Sequence, residues 1–182
     1  MLTFLRKPYL APVWLVVRVL VGWEWLTAGL EKVSSPAAWF GPQAGAAVAG
    51  MVNGAVAQTS GAHPQVLGLA ASIAHAVIVP TAPFWGYVIP FAEIIVGLGL
   101  ILGGLTGTAL VGALAMNLVY MLMGSDGVNP VMFVAEAILL AVGPAAVLWG
   151  LDHWVFGDWR ARHPLLHPVA PEPRPTGDSH VA

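Results

Sequence analysis

The sequence predicts an all-α integral membrane protein: a four-transmembrane-helix bundle with a helical extracytoplasmic cap between the first and second spans. The first observation is composition, since 58% of the 182 residues are hydrophobic and only 9% are charged, whereas soluble domains carry about 25% charged residues. The second is the stretch 84–105, in which Glu93 is the one ionisable residue. At ~1.5 Å per residue this stretch covers ~33 Å, enough to cross a bilayer core of ~30 Å.

Composition also excludes several classes of function. A net charge of −2 gives no sign of a nucleic-acid partner. The absence of cysteine excludes disulfides, thiolate nucleophiles and cysteine-ligated iron–sulfur clusters. We therefore expect one membrane domain, residues 1–152, whose chemistry depends on carboxyl, amide, hydroxyl and cationic side chains.

The first predicted span covers residues 12–30. Arg6 and Lys7 precede it, as in the n-region of a signal peptide. However, the apolar run contains Arg18 and Glu24, and no small-x-small cleavage site follows a short h-region. We therefore expect a retained transmembrane helix.

Residues 33–83 are predicted to form the cap. Two stretches, 44–58 and 65–79, look helical, but each has roughly 15 residues and is too short to span comfortably. We expect them to lie on one membrane face or to dip into it. A six-span protein remains the alternative.

The remaining spans are predicted at 84–105, 107–124 and 129–151. After them the composition changes, and residues 153–182 are expected to form a cytoplasmic interfacial segment followed by a disordered tail. The tryptophans near the span ends are expected to anchor at the membrane interfaces: Trp14, Trp23, Trp25, Trp39 and Trp85.

Basic residues predict the topology. Arg6 and Lys7 flank one end of the chain, and Arg160 and Arg162 flank the other. Because basic residues favour the cytoplasmic side, we expect a multi-pass protein of the plasma membrane, with both termini in the cytoplasm and the cap outside.

Each predicted span carries one polar residue at a similar depth. Glu24, Glu93, Asn117 and Glu136 should all lie roughly 9–13 Å below the outer boundary. Intramembrane ionisable residues are functional candidates by default. If all four face inward, they form a polar pocket that opens toward the cap; the alternative is that they only bond helices together.

The charge balance within the spans suggests proton chemistry. Arg18 is the one cation among three carboxyls, so one carboxyl can pair with it, and we expect at least one of the others to be protonated at neutral pH. Such carboxyls could handle protons at a quinone site, with Asn117 and Tyr120 as hydrogen-bond donors. No haem or metal is predicted, because the histidines lack ligand-like spacing on a span.

Several short motifs occur in a characteristic order: Arg18-Val-Leu-Val-Gly22, Ala28-Gly29-Leu30-Glu31-Lys32, the Glu93–Gly103 run with Thr106, Asn117, Asn129-Pro130 and Gly150-Leu151-Asp152. With these motifs the chain resembles the DoxX family, including its DoxD-like members, over roughly residues 14–152. The resemblance implies a four-helix membrane protein. DoxD-like members are the membrane subunit of thiosulfate:quinone oxidoreductase, which oxidises thiosulfate to tetrathionate and reduces a quinone.

On this sequence the resemblance implies polar positions at Arg18, Glu24, Lys32, Glu93 and Asn117. Our leading hypothesis is therefore the membrane subunit of a quinone-linked oxidoreductase, with thiosulfate as the best substrate. The proton-handling candidates are Glu93, Glu24 and Glu136, and the substrate-binding candidates are Arg18, Lys32, Asn117 and Tyr120. Quinone would be a co-substrate, and partners would be the lipid bilayer, a second small subunit or soluble redox enzyme, and further copies of the chain.

Two other hypotheses stay open. One is a non-enzymatic scaffold that docks a soluble redox or sulfur-transfer enzyme, and the other is a small proton-coupled transporter. An unpaired Glu93 in a pocket would favour the enzyme, whereas a Glu93 fully hydrogen-bonded between helices would favour the scaffold.

Overall fold

The computed structural model describes residues 2–125 and 127–155, in which every regular element is helical. This confirms the predicted all-α class. Residues 151–155 are helical, and short 3-10 turns connect several of the α-helices. The α-helices in chain order are α1 (Leu2–Leu5), α2 (Ala11–Ser34), α3 (Ala46–Ala57), α4 (Gly68–Val77), α5 (Ala82–Leu102), α6 (Thr106–Leu122), α7 (Asn129–Val142) and α8 (Pro144–Val147).

The four longest of these helices pack as a ring. Helix α2 lies along α5, α5 contacts α6, α6 contacts α7, and α7 returns to α2. The core between them includes Trp14, Trp25, Leu100, Leu110 and Leu139. Each helix thus has one apolar side that faces the others.

Membrane crossing is supported most strongly for two helical stretches. Pro8–Ser34, of 27 residues, and Gly68–Leu102, of 35 residues, are long and apolar enough to cross a bilayer. Thr106–Leu122 and Asn129–Val142 are apolar but shorter, about 26 and 21 Å at ~1.5 Å per residue against a core of ~30 Å. The first two predicted spans fall in the long stretches; that the other two cross the membrane stays a prediction.

The outward faces of the ring carry large apolar side chains. Leu20, Ile95 and Val131 are more than half exposed. Extended exposed apolar surface indicates contact with another phase, such as lipid.

Glycines with positive φ end two of the ring helices. Gly103 has a φ of 67° and follows α5, and Gly143 has a φ of 55° and follows α7. The predicted fourth span, 129–151, is therefore divided into α7, α8 and a further turn, because Gly143 is followed by a proline. The chain then returns to the start of α6, where Asp152 N donates to Gly103 O at 2.7 Å.

Helices α2 and α5 approach each other closely through glycine. A Cβ atom on Gly97 would lie 2.5 Å from Leu26 N and 2.7 Å from Gly22 O. Small residues permit such backbone proximity between helices. Gly86, Gly97 and Glu93 are all buried on the inward side of this helix.

The predicted cap is helical and packs on the ring. Helices α3 and α4 contact each other, and their shared core includes Val52, Ala71 and Met123. The cap approaches α5 closely at Gly86, where an added Cβ would lie 2.6 Å from Gly45 N. With 12 residues in α3 and 10 in α4, the cap gives the six-span alternative no support. The extracytoplasmic location of the cap stays a prediction.

The predicted interfacial segment and tail, residues 153–182, lie outside the described residues apart from 153–155. Within those three, His153 and Trp154 are exposed.

Candidate functional site

Two carboxyl side chains lie inside the helix ring, Glu93 on α5 and Glu136 on α7. They are 1% and 0% exposed. Each contacts polar side chains from two other helices, so the ring holds two separate buried polar clusters.

The first cluster is centred on Glu93. Lys32 Nζ lies 2.8 Å from Glu93 Oε2 and 3.0 Å from Oε1. The Tyr120 hydroxyl donates to Glu93 Oε1 at 2.8 Å. The same Lys32 ammonium donates to Ala28 O at 3.3 Å and lies 5.3 Å from the centre of the Trp39 ring. The cluster therefore joins α2, α5 and α6 and contacts the cap.

The second cluster is centred on Glu136. Trp25 Nε1 donates to Glu136 Oε1 at 2.7 Å, and Asn117 Nδ2 lies 2.9 Å from both carboxyl oxygens. Among the described residues no lysine or arginine forms an ion pair with Glu136. The other amide atom, Asn117 Oδ1, is buried and has no partner within that part of the chain.

Two aromatic rings connect the clusters. The rings of Trp25 and Tyr120 have centroids 6.3 Å apart and are tilted by 32°. Trp25 donates to Glu136 and Tyr120 donates to Glu93. The two clusters are therefore neighbours, separated by one pair of aromatic rings.

A cavity of about 320 Å³ lies beside the Glu93 cluster. Its polar wall includes Glu24, Lys32, Glu93 and Tyr120, and the cap contributes Met51. The volume falls near the lower end of the ~300–1,000 Å³ typical of small-molecule sites. Apolar walls with a few convergent polar groups are characteristic of such sites.

The predicted polar layer is therefore assembled in part. Glu93, Asn117 and Glu136 are buried in the ring, but only Glu93 of these three lines the cavity. Glu24 also lines the cavity, although its side chain is exposed. Tyr120, predicted as a donor, contacts Glu93 and faces the cavity.

The structure corrects the expectation that Arg18 pairs with one of the three span carboxyls. Arg18 Nη1 donates to Ala146 O at 2.9 Å and Nη2 donates to Trp149 O at 2.8 Å. It lies at the opposite end of α2 from Lys32, ~21 Å away along the helix axis. Arg18 does not line the cavity, so the cation that meets Glu93 is Lys32.

Sequence reasoning missed Trp25, which was expected at a membrane interface. Its side chain is 2% exposed and binds Glu136. The available signal was its position between Gly22 and Gly29, which share the side of α2 that packs closely against α5. A tryptophan on such a side is directed into the bundle.

The cavity wall combines two kinds of chemistry. The Lys32 ammonium and the Tyr120 hydroxyl are hydrogen-bond donors, and Glu93 between them can accept or return a proton. Such a wall can bind a carbonyl oxygen or an anion. Among the described residues no group of three or more His, Asp or Glu side chains is placed to hold a metal ion.

Comparison with known families gives one result over most of the chain. A family model described as "TQO small subunit DoxD" matches residues 14–160. Comparisons with curated proteins and with solved structures gave no match.

Proposed function

Because the chain belongs to the DoxD family, we propose that it is the membrane subunit of a quinone-linked oxidoreductase, with thiosulfate as the electron donor. Two thiosulfate ions, one quinone and two protons would give one tetrathionate ion and one hydroquinone. The membrane subunit must then bind the quinone ring and supply protons to its oxygens.

The observation that carries this proposal is the Lys32–Glu93–Tyr120 cluster on the cavity wall. Lys32 has three N–H donors and can bind a quinone oxygen while it contacts Glu93, whereas Tyr120 has one O–H and would turn it from Glu93 to the quinone. A carboxyl flanked by two donors can pass a proton to a bound oxygen and be reprotonated. Positioned side chains of this kind typically contribute ~10²–10⁴-fold to a rate.

We propose further that α2, α5, α6 and α7 all cross the bilayer, with both termini in the cytoplasm and the cap outside. The cavity then lies in the outer half of the membrane, beneath the cap. Lys32, near the outer end of α2, would attract the thiosulfate dianion. Electrons would pass from thiosulfate to the quinone directly, or through a redox centre of a partner subunit.

The proposal is tested by thiosulfate-dependent reduction of a water-soluble quinone analogue in membranes that contain this chain alone. Glu93→Gln should lower the rate at least ~100-fold, because the amide cannot relay a proton. The matched control is Glu31→Gln, the same chemical change on an exposed residue of α2. It should leave the rate unchanged.

Tyr120→Phe is the second variant, with Tyr9→Phe as its control, since Tyr9 is 61% exposed. Monodispersity and melting temperature in detergent establish that each variant is folded. Wild-type membranes that reduce no more quinone than empty membranes would contradict the proposal for the chain alone. Equal rates in wild type and a folded Glu93→Gln would contradict the role of the carboxyl.

A scaffold that docks a soluble enzyme is the second candidate, and one observation favours it. Glu93 is bonded to side chains of two other helices, as expected for a structural contact, although it also lines a cavity. A pure scaffold predicts that the chain binds no quinone. It also predicts that Glu93→Gln changes only stability.

A further inference from the structure

A second cavity, of about 330 Å³, adjoins the polar one on the outer side of the ring. It lies between the cap, α5 and α6, and its walls include Trp85, Ile89, Ala115 and Val119. All its lining side chains are apolar or aromatic, in contrast to the charged wall of the first cavity. We call it the apolar groove.

The two cavities have walls in common. Four side chains line both of them: Val48, Met51, Ile89 and Tyr120. The Tyr120 hydroxyl bonds Glu93, so the end of the groove lies one side chain away from the proposed proton donor. Met51 is only partly buried, and its unbranched, flexible side chain can move aside for a ligand that passes between the cavities.

The other side of the groove faces outward. Ala115 and Val119 lie one turn apart on α6 and both are exposed. Their neighbour Val111, one turn further along the same face, is 56% exposed. This face of α6 would contact lipid, so the groove would open laterally toward the bilayer.

We infer that the groove holds the alkyl tail of a lipid-soluble quinone whose ring occupies the polar cavity. The inference rests on the proposed function and adds the site of the tail and the route of entry: the quinone arrives from the bilayer, between the cap, α5 and α6. We choose the quinone tail as the occupant because the groove and the polar cavity have walls in common. An acyl chain of a membrane lipid would explain the groove but not its common wall with the polar cavity that Glu93 lines.

The test measures the Kd of the purified full chain in nanodiscs for two benzoquinones with the same ring, one without a tail and one with a decyl tail. Ala115→Phe places a ring in the groove. It should raise the Kd of the decyl quinone at least ~10-fold and leave that of the tail-less quinone within ~twofold. The matched control, Val111→Phe, adds the same ring one turn away, outside the groove, and should change neither Kd. Partition of the tailed quinone into lipid is the same for all variants, so it cancels in the comparison.

Val119→Trp, on the other exposed position of the groove, serves if Ala115→Phe does not fold. A folded groove variant that leaves the decyl quinone unaffected, or weakens both quinones equally, would overturn the inference. Loss of a co-purifying lipid with unchanged quinone affinity would also overturn it and assign the groove to an acyl chain. Failure of the proposed function gives a different result. In that case Glu93→Gln would leave the Kd of both quinones the same as in the wild type.

Discussion

Lys32 Nζ and Glu93 Oε2 lie 2.8 Å apart and connect the C-terminal end of α2 to the middle of α5. The Lys32 side chain is 22% exposed and the Glu93 side chain is 1% exposed. An unpaired charge in such a place is strongly unfavourable, so each residue depends on the other. The pair is therefore both part of the proposed site and a contact between helices.

Lys32→Met should destabilise the protein by about 3–5 kcal/mol, because it leaves a buried carboxyl without its counter-ion. The double variant Lys32→Met/Glu93→Gln should recover part of that loss, since no charge then remains. Unfolding of the wild type, both single variants and the double variant in mixed detergent micelles measures the coupling. Effects that add within ~0.5 kcal/mol would show that the two side chains do not interact.

Tyr120→Phe should lower the free energy of unfolding by about 1.5–3 kcal/mol, because it removes a hydrogen bond to a charged acceptor. The same unfolding experiment measures it. Tyr9→Phe, on an exposed tyrosine, should stay within ~0.5 kcal/mol of the wild type. If the two variants are equally stable, the Tyr120 hydroxyl does not bind Glu93.

The sequence predicts the helical class well because apolar runs report burial and lipid contact directly. The starts of α5, α6 and α7 fall within two residues of those predicted. The break in the fourth predicted span was missed, since Gly143 stops α7 through a positive φ that composition does not reveal. An apolar run of 23 residues can contain such a break without any change in hydropathy.

The sequence predicted which polar side chains of the spans would be buried for three of four residues, since Glu24 is exposed; their common depth in the membrane stays a prediction. Glu93, Asn117 and Glu136 are all buried because their helices pack in a ring, but Glu93 lies in a different cluster from the other two. The partners differ from those expected: a long lysine side chain can reach back along its helix, so Lys32 rather than Arg18 meets Glu93. Pairing between distant residues depends on how helices are rotated about their axes, which one sequence does not specify.

Gly97→Ala should destabilise the ring by about 1–3 kcal/mol, a typical penalty for overpacking. The new methyl would lie 2.5 Å from Leu26 N, and backbone atoms of α2 cannot move aside locally. Gly50→Ala in α3 is the matched control, because its added Cβ meets no atom within 4 Å. The control should be neutral or stabilising by about 0.5–1 kcal/mol. Equal melting temperatures for the two variants would contradict the close contact.

Glu136→Gln should preserve stability within ~1 kcal/mol, whereas Glu136→Leu should lower it by about 2 kcal/mol or more. A glutamine can still accept from Trp25, and its amide can donate to Asn117 Oδ1, which lacks a partner among the described residues. Leucine leaves the Trp25 and Asn117 donors buried and unsatisfied, at ~1–3 kcal/mol each. Melting temperatures of the two variants measure this difference in stability. A Gln variant as unstable as the Leu variant would mean that Glu136 needs its charge.

Asp152 caps the start of α6, at the end of the ring away from Lys32. Its removal should destabilise the first turn of α6. Its carboxylate accepts from Leu105 N at 2.6 Å and from Thr106 N at 2.7 Å. Its negative charge also attracts the buried guanidinium of Arg18. Loss of a capping side chain typically lowers stability by ~0.5–2 kcal/mol. Asp152→Ala should reach the upper end of that range, because it also removes a negative charge near Arg18.

Asp152→Asn separates the two contributions, since its amide oxygen can still accept one backbone N–H bond. We expect it to lie between wild type and Asp152→Ala in the unfolding experiment. Hydrogen exchange at the Leu105 and Thr106 amides should be fastest in Asp152→Ala, while the amides of α3 stay unchanged. An Asn variant as stable as the wild type would show that the charge contributes nothing. Unaltered exchange in Asp152→Ala would show that the carboxylate does not cap α6.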